Sequence, residues 1–388
     1  MREMLNESLM EGIAQVDISP TMFKEATDHY MAIAKLFGQN GLDADFYPQG
    51  SFSTGTVVRP YANGGEDSFY DLDMVCLVKD SDKESVSPGE LMDRVVDILL
   101  GDGTYKDKCK ITSECITIEY ARSDSRPGFN LDIIVAVQPS GMTDLAYSLS
   151  GIELRWASQD LSIAVASPSS WKGSNPHALS DWFGEVNQVF ADYDRDRRKA
   201  AILKKSRGVY ASIEDIPVGL ERSSLQRAIQ IAKRARDLYY AHLKDGIRRP
   251  ESCMLLVMLA EHAKEMKASS TALEILQSFC LKVLEAEILV GERIDCLFVN
   301  EGAYVVRNPV FPENFLEDWS DYDIRKMFSW IRVLSDDLSV NDNDFAMRNA
   351  ALMRTVGDSA VKRIAMASPV ASVSASVQQV KPWGGHGC

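Results

Sequence analysis

The chain has 388 residues, of which 45% are hydrophobic and 25% are charged, and its formal net charge is −14. This length is enough for one large domain or two domains with an ample core, and the composition is ordinary for a soluble globular protein. The negative charge argues against a broad basic surface for duplex DNA or RNA. A small anionic substrate would need a local basic pocket or metal ions instead.

The cysteines and the first residues exclude further classes of protein. The seven cysteines are scattered and form no CxxC pair, which is typical of reduced thiols and not of a disulfide framework or a zinc site. The first ten residues, "MREMLNESLM", lack the apolar core of a signal peptide, and no apolar run approaches membrane-spanning length. We therefore expect a soluble, cytoplasmic protein with no membrane partner.

The first third of the chain predicts mixed α and β structure. A helix is predicted over 19–40, because Ser19 and Pro20 form a cap and first turn, an apolar stripe follows, and "NG" ends it. A short strand around 45–48 leads into a Gly-Ser turn. Further elements are a helix beginning near Pro88 and strands at 70–78, 115–121 and 129–137.

From about residue 176 the apolar spacing becomes helical. Helices are predicted at 176–200, 223–243, 250–266, 270–290 and 321–336, and only 303–307 is predicted to be extended. This pattern indicates a helical second lobe after an α+β first lobe. The last 25 residues are small, polar and rich in Pro, Gly and Ser, which predicts a flexible tail.

Acidic residues interrupt two of the predicted strands. Asp71 and Asp73 flank Leu72 in "FYDLDMVCLV", and Asp132 lies in "FNLDIIVAV". Side chains at i and i+2 of a strand share a face, so Asp71 and Asp73 point the same way. If the two strands are neighbours, three carboxylates meet, which suits Mg²⁺ or Mn²⁺. Taken alone, the pair could also be a solvent-facing strand end, since short motifs often match by chance.

A turn upstream makes the pattern more specific. Gln49, Gly50 and Ser51 form a "QGS" turn that offers backbone N–H groups and hydroxyls at a predicted helix N-terminus, an arrangement that favours phosphate. Asp71 lies 20 residues after Ser51, and Asp132 lies 59 residues after Asp73. The combination is far more specific than a Gly-Ser pair alone.

This constellation resembles the nucleotidyltransferase superfamily that includes DNA polymerase β, poly(A) polymerase and oligoadenylate synthase. There, a Gly-Ser turn holds a triphosphate and three aspartates bind two metal ions. The resemblance implies that Asp71 and Asp73 bridge two Mg²⁺ (or Mn²⁺) ions and that Asp132 holds the ion that activates a ribose hydroxyl. That hydroxyl attacks an α-phosphate and pyrophosphate leaves.

Basic and hydroxyl residues in the second lobe add to the pattern. "SSLQRAIQIAKRARD" (223–237) gives one helix Arg227, Lys233, Arg234 and Arg236, which could also be a solvated basic face. In "RRPESCMLLVMLA" (248–260), Pro250 suits the first turn of a helix. Ser252 then lies near the N-terminus, where an anion is favoured, although it could be an ordinary first-turn residue.

These stretches, with "WKGSNPHALSDWF" (171–183) and "VRNPVFPENFLEDW" (306–319), resemble the cGAS/DncV-like nucleotidyltransferases, or CD-NTases. These enzymes make cyclic oligonucleotide second messengers in CBASS anti-phage defence. The resemblance covers roughly 20–335. It implies that Lys233 and Ser252 contact the donor triphosphate. Gln49, Arg59, Arg227 and Asn308 could serve the acceptor, the base or the lobe interface.

The resemblance also implies an architecture and partners. We expect a polymerase-β-like catalytic lobe with an N-terminal spine helix over 1–170, a helical lobe over 171–363 and a tail over 364–388. The substrates would be NTPs, including ATP, and the product a cyclic di- or trinucleotide that acts on a downstream effector. "WGGHGC" at 383–388 resembles tails conjugated by an E1–E2 partner, although Cys388 departs from the commoner glycine and an uninformative end is the alternative.

Two other functions stay open on the sequence. One is a linear RNA or tRNA nucleotidyltransferase of the poly(A)-polymerase type, which the net charge of −14 disfavours because RNA demands a basic track. The other is an inactive nucleotide sensor, which the presence of all three aspartates and the Gly-Ser turn disfavours. The bases, the ring size and the linkages of the product cannot be predicted from the sequence.

Overall fold

The computed structural model describes residues 3–61, 69–120, 128–139, 144–166, 169–205, 221–244, 246–288, 297–300, 302–358 and 360–362. The predicted tail at 364–388 and its "WGGHGC" end lie outside the described residues. Within the described ranges, no helix is both long enough and apolar enough to cross a membrane.

Nine strands lie within the described ranges. They are β1 (Ala44–Gln49), β2 (Tyr70–Val78), β3 (Cys109–Ile111), β4 (Ile116–Tyr120), β5 (Phe129–Val137), β6 (Leu161–Ala166), β7 (Ser169–Ser174), β8 (Leu297–Asn300) and β9 (Ala303–Val306).

Seven of these described strands form one mixed sheet in the first half of the chain. The order is β1-β2-β5-β4-β3, with β6 also paired to β5 and β7 paired to β6. The central pair, β2 and β5, is parallel, and the other pairs are antiparallel. The predicted mixed sheet is therefore confirmed. The remaining described strands, β8 and β9, form a separate antiparallel hairpin.

Eleven α-helices lie within the same described ranges. They are α1 (Glu3–Ala14), α2 (Pro20–Gln39), α3 (Gly50–Ser53), α4 (Pro88–Gly101), α5 (Asp144–Ser150), α6 (Pro176–Lys205), α7 (Ser224–Tyr240), α8 (Ser252–Ala263), α9 (Ala272–Ile288), α10 (Asp321–Leu338) and α11 (Phe345–Thr355).

Capping residues explain why several helices begin where they do. The Ser19 hydroxyl accepts a hydrogen bond from the Met22 backbone N–H, and Pro20 occupies the first turn of α2. Ser223 and Gln226 form a capping box at the start of α7. Such caps satisfy backbone N–H groups that have no partner within the helix, so they fix the first turn.

The core consists of two main hydrophobic clusters. One packs α2 and α4 on the mixed sheet, with Ile33, Phe37, Leu91 and Leu72 all buried. The other packs α6 through α11 together with α1, whose Leu9 is fully buried there. An α+β lobe and a helical lobe are thus present, as predicted.

Some details differ from the expected organisation. The predicted boundary between 170 and 171 falls inside β7, whose backbone pairs with β6 in the sheet. Helix α1 packs among the helices of the second lobe, although it precedes the sheet in sequence. The prediction that only 303–307 is extended in the second lobe is wrong, because β8 pairs with β9.

Candidate active site

Two neighbouring strands bring the predicted carboxylates together. In the parallel pairing of β2 and β5, Asp73 lies opposite Asp132 and Asp71 lies opposite Asn130. Leu72 is fully buried while Asp71 is exposed and Asp73 half-buried, so the two aspartates share the outer face of β2. Because parallel neighbours in register are close, the three carboxylates of Asp71, Asp73 and Asp132 form one acidic patch, here called the aspartate cluster.

Neighbouring elements hold this cluster in place. The Thr117 hydroxyl on β4 donates to Asp132 Oδ1 at 2.5 Å. The Tyr30 hydroxyl on α2 donates to the backbone oxygen of Asp73 at 3.1 Å. Sequence reasoning missed both residues. The Tyr30 contact depends on packing of α2 against the sheet, the Thr117 contact depends on the register of β4 against β5, and neither residue belongs to a short motif.

The cluster is electrostatically unfavourable without a cation. The pKa of Asp73 is raised to about 7, first by burial and then by the negative charges of Asp132 and Asp71. The pKa values of Asp71 and Asp132 are also raised, and burial is the largest cause for each. A bound divalent cation would remove this repulsion.

The donor set fits divalent ions. Carboxylate oxygens are the hard ligands that Mg²⁺ and Mn²⁺ prefer, and Asp71, Asp73 and Asp132 face one another across the β2–β5 pair. Within the described ranges, no three His, Cys, Asp or Glu side chains are arranged so that they could hold a metal ion without moving. The fit to metal therefore rests on the chemistry and mutual repulsion of these three carboxylates.

The Gly-Ser turn lies directly beside the cluster. Gln49 is buried at the end of β1 and lies opposite Asp73. Gly50 follows with a φ of 61°, and a Cβ at this position would stand 2.6 Å from Asp73 Oδ2. Gly50 therefore allows both the left-handed turn and the close approach to the carboxylate. Ser51 is the second residue of the short helix α3, where the predicted helix begins.

Helix α2 supports this turn from behind. The ring of Phe52 on α3 stacks on Phe23 with centroids 4.6 Å apart, and Tyr30 contacts the same ring at 5.3 Å. Aromatic pairs of this kind add to the stability of packing beyond the area that they bury. The turn is thus held against a rigid helix next to the aspartate cluster.

Lys233 approaches the cluster from the helical lobe. Its side chain is buried, and Nζ donates to the backbone oxygen of Thr56 at 3.0 Å. Burial and the neighbouring Arg236 lower the pKa of Lys233 to about 8, although the charges of Asp73 and Asp71 oppose that change. A cation beside the Gly-Ser turn and the carboxylates is well placed to meet a polyphosphate.

Ser252 is the first residue of α8 and is exposed. Its Oγ accepts a hydrogen bond from Arg236 Nη1 at 3.3 Å. Arg236 lies on α7, three residues after Lys233, so Ser252 and Lys233 are linked through one helix. The structure therefore brings the Gly-Ser turn, the aspartate cluster, Lys233 and Ser252 to the junction of the two lobes.

Two further residues named from the sequence, Arg227 and Arg59, make structural contacts. Arg227 forms an ion pair with Asp17 at 2.9 Å. Arg59 donates to the backbone oxygen of Gln15 at 3.2 Å. The Arg227 contact joins α7 to the segment before α2, whereas the Arg59 contact joins two segments of the predicted first lobe. The roles named for both residues stay predictions.

Asn308 lies in a loop of the helical lobe. Its side chain is buried, donates to Glu313 Oε2 at 3.1 Å and accepts from the Val310 backbone N–H at 3.1 Å. These contacts hold the loop that follows β9. The nucleotide-binding role of Asn308 stays a prediction.

A polar cavity of about 280 Å³ opens one helical turn beyond Lys233. Its lining includes Tyr61, Asp237, Tyr240 and Arg249. Asp237 is close enough to Asp71 for its charge to raise the pKa of that carboxyl. The cavity therefore borders the lobe junction.

Comparisons with known proteins bear on this arrangement. Residues 44–134 match the family model for the nucleotidyltransferase domain of "Cyclic GMP-AMP synthase DncV-like" proteins. This stretch carries the Gly-Ser turn and all three aspartates. A c-di-GMP synthase from Roseivirga ehrenbergii is 24% identical over 324 residues, which cover 82% of this chain and 73% of that protein.

Solved structures share the fold across both lobes. The Bradyrhizobium diazoefficiens CD-NTase CdnG, solved in complex with GTP, has a TM-score of 0.65 and 23% identity, covering 94% of this chain and 98% of its own. CdnC of E. coli MS115-1, solved with ATP, has a TM-score of 0.59 and 14% identity, covering 91% and 98%. The polymerase-β-like fold with a helical second lobe is therefore confirmed. Residues 44–134 are thus similar to a DncV-like nucleotidyltransferase domain, and the chain shares the fold of the CD-NTases.

Proposed function

We propose that this enzyme joins two nucleoside triphosphates into a cyclic dinucleotide and releases pyrophosphate at each bond formed. The observation that carries the proposal is the pairing of Asp73 with Asp132 and with Gln49, because it unites the aspartate cluster and the Gly-Ser turn at one edge. Such an arrangement supports nucleotidyl transfer, in which positioning and charge neutralisation supply most of the catalysis.

The triphosphate of the donor nucleotide would lie between the lobes. The turn at Gly50 and Ser51 would bind phosphate oxygens through backbone N–H groups and a hydroxyl. Lys233 would supply positive charge, and the exposed Ser252 hydroxyl would donate from the start of α8. These contacts would orient the α-phosphate toward the aspartate cluster.

Asp71, Asp73 and Asp132 would hold two divalent ions, Mg²⁺ or Mn²⁺. When bound, these ions would neutralise charge on the phosphates and lower the pKa of the attacking ribose hydroxyl. The protein's own part is to hold the carboxylates in register. The hydrogen bond from Thr117 fixes Asp132, and the one from Tyr30 fixes the backbone at Asp73.

Guanine is the base that the comparisons favour for at least one substrate. The curated relative is named a c-di-GMP synthase, and CdnG was solved with GTP. CdnC was solved with ATP, which keeps the predicted use of ATP within the proposal as a second substrate. We propose GTP as one substrate, with the partner nucleotide to be identified by experiment.

The test is incubation of the purified protein with Mg²⁺ or Mn²⁺ and each labelled NTP, singly and in pairs. The expected product is small and resistant to phosphatase, and it should form only in mixtures that contain GTP. An extended RNA product would instead indicate a linear nucleotidyltransferase. Nucleotide binding without turnover, repeated in the presence of partner proteins, would indicate a sensor.

The cellular role belongs to the same proposal. The similarity to CD-NTases extends the proposal to CBASS anti-phage defence. There, the product would act on a downstream effector, and an E1–E2 enzyme would conjugate the tail. Deleting 384–388 should leave NTP turnover unchanged, because the proposed catalytic groups all lie between residues 50 and 252. In cells that also express an E1–E2 partner, this deletion should eliminate the covalent conjugates. Conjugates that persist, or turnover that collapses, would contradict this part of the proposal.

A further inference from the structure

Arg236 lies at the centre of a buried network behind the proposed triphosphate site. It is on α7, its side chain is buried, and every guanidinium nitrogen has a partner. Nε and Nη2 donate to Asp237 Oδ1 at 2.9 and 2.7 Å. Nη1 donates to the backbone oxygen of Pro250 at 2.8 Å and to Ser252 Oγ at 3.3 Å.

This network joins α7 to the start of α8. Pro250 and Ser252 belong to the turn that leads into α8, whereas Lys233 lies one helical turn before Arg236 on α7. The guanidinium is planar and its donors diverge at fixed angles, so it fixes the turn relative to α7. The distance between Lys233 and Ser252 therefore depends on Arg236.

The hydrogen bond to Ser252 has a chemical consequence. Arg236 has no acceptor, so the Ser252 oxygen must accept in this contact. The hydroxyl proton is then directed away from the guanidinium, toward the exposed side of α8. A hydroxyl oriented in this way is ready to donate to an anion, and the adjacent positive charge makes it a stronger donor.

We propose that Arg236 is a positioning residue for triphosphate binding, which holds the Ser252 hydroxyl as a donor and sets its distance from Lys233. The proposal rests on the proposed function, because it needs a triphosphate at Lys233 and Ser252. Arg236 does not touch the substrate itself. Arg236→Lys keeps the positive charge that lowers the pKa of Lys233, so the effect of that variant should appear through Ser252 and the turn.

Arg249 provides a matched control. It also donates to Asp237 Oδ1, at 3.2 Å, but its side chain is 54% exposed. Within the described residues it makes no hydrogen bond to Ser252 or Pro250. A general weakening of the Asp237 network would therefore affect variants of both arginines, whereas the loss of Ser252 orientation would affect only Arg236.

The test compares Arg236→Lys, Ser252→Ala, the double variant and Arg249→Lys. The dissociation constant for a non-hydrolysable GTP analogue with Mg²⁺ is measured by calorimetry, and KM and kcat for GTP are measured alongside. Arg236→Lys and Ser252→Ala should each weaken binding about tenfold, the order expected for a charge-assisted hydrogen bond. KM should rise while kcat changes little.

The double variant decides whether Arg236 acts through Ser252. We expect it to bind about as weakly as either single variant, because the same contact is lost. Arg249→Lys should bind within about twofold of the wild type, as a partly exposed pair contributes little. Multiplied losses in the double variant, unchanged binding in Arg236→Lys, or an equal loss in Arg249→Lys would each overturn the proposal.

A second measurement avoids any folding defect of Arg236→Lys. In wild-type protein with ¹⁵N-labelled arginine, adding the analogue should shift the side-chain resonance of Arg236, and Ser252→Ala should abolish that shift. An unchanged Arg236 resonance on saturation would overturn the proposal. A wild type that fails to bind the analogue would instead overturn the proposed function, and this inference with it.

Discussion

At the scale of single residues, the site depends on close approach between groups from different elements. Gly50 brings the turn to within contact of the Asp73 carboxylate, and Thr117 reaches Asp132 from the next strand. The sequence predicted Gly50 and the three aspartates, because they belong to motifs with defined spacing. It did not predict Thr117 or Tyr30, because one contact is set by the register of β4 against β5 and the other by the packing of α2 on the sheet.

Substituting Gly50 tests that approach. Gly50→Ala should cost about 1 kcal/mol in unfolding free energy, because an L residue is strained at positive φ. It should also abolish most turnover, since the new Cβ would stand 2.6 Å from Asp73 Oδ2. Gly41→Ala is the control, because Gly41 has a φ of 78° but no atom within 4 Å of the position that a Cβ would take. Thermal melts should show Gly50→Ala destabilised at least as much as Gly41→Ala, and turnover assays should show a loss only in Gly50→Ala. Equal turnover in both variants would contradict the close approach of the turn to Asp73.

The lowered pKa of Lys233 predicts that nucleotide binding depends on pH. Its pKa in the free protein is about 8, below the ordinary value of 10.5. The charged form is lost as pH rises through 8, so affinity for GTP should fall between pH 7 and 9. Lys233→Ala should bind more weakly at pH 7, with KM affected more than kcat, and should lose this pH dependence. Calorimetric titrations across this range check it, and an unchanged KM in Lys233→Ala would mean that Lys233 does not contact the triphosphate.

The lowered pKa of Lys233 also determines whether its contribution to the free energy of unfolding rises or falls with pH. Between about pH 8 and 10.5 the unfolded chain binds more protons at Lys233 than the folded protein does. The contribution of Lys233 to the free energy of unfolding therefore rises with pH in this window. Lys233→Ala should show a smaller rise, which chemical denaturation at several pH values can measure. A steeper rise in the variant would contradict the assigned pKa.

At the scale of elements, α7 makes the main hydrogen-bonded contact between the two lobes. Four of its side chains donate to backbone oxygens of the segment that follows the Gly-Ser turn. They are Gln226 to Thr54, Gln230 to Val57, Lys233 to Thr56 and Arg234 to Arg59. The spacing of these residues places them on one face of the helix. Helix α7 thus holds the catalytic lobe in place through hydrogen bonds from its side chains to the backbone of that lobe.

Removing one of these bonds should affect both stability and substrate binding. Gln230→Leu leaves the Val57 oxygen without its 2.6 Å partner, which should cost about 1–3 kcal/mol in unfolding free energy. Gln277→Leu is the control, because Gln277 donates to the Leu338 oxygen at 2.6 Å within the helical lobe. Both variants should melt earlier, but only Gln230→Leu should raise the KM for GTP. A similar KM in both would show that α7 does not position the site.

Strong local signals explain which elements the sequence predicted. Helices α2 and α4 carry a serine cap followed by proline, and β2 and β5 are apolar runs whose predicted bounds match those observed. Strand β7, "SSWKGS", has neither alternation nor an apolar run in its sequence, and β8 has four residues. Both form through pairing with a neighbouring strand, so single-sequence patterns could not reveal them.

At the scale of the whole molecule, the proposed site needs both lobes. The aspartate cluster and the Gly-Ser turn lie on the mixed sheet, whereas Lys233 and Ser252 come from α7 and α8. The distribution of residues between lobes was predictable from the motifs, but their junction was not. Arg227 shows why, because its ion pair with Asp17 joins residues 210 positions apart.

The central claim is that the aspartate cluster is a metal-dependent centre for nucleotidyl transfer. In metal-free buffer, the pKa of Asp73 makes the free energy of unfolding depend on pH. This pKa is about 7 in the folded protein, against an ordinary value of 3.8. The folded state binds the proton more tightly, so the unfolding free energy of the wild type should fall as pH rises from about 4 to 7. Asp73→Asn should show a smaller fall, because the raised pKa values of Asp71 and Asp132 still contribute, and it should be as stable as the wild type or slightly more stable at pH 7.

The most direct test is product formation from labelled NTPs with Mg²⁺ by the wild type, Asp71→Asn, Asp73→Asn and the double variant, with melting curves to show that each is folded. Each folded variant should lose turnover by about a hundredfold or more, because the set of carboxylates that would hold the ions is incomplete. A folded double variant that makes product at close to the wild-type rate would contradict the central claim.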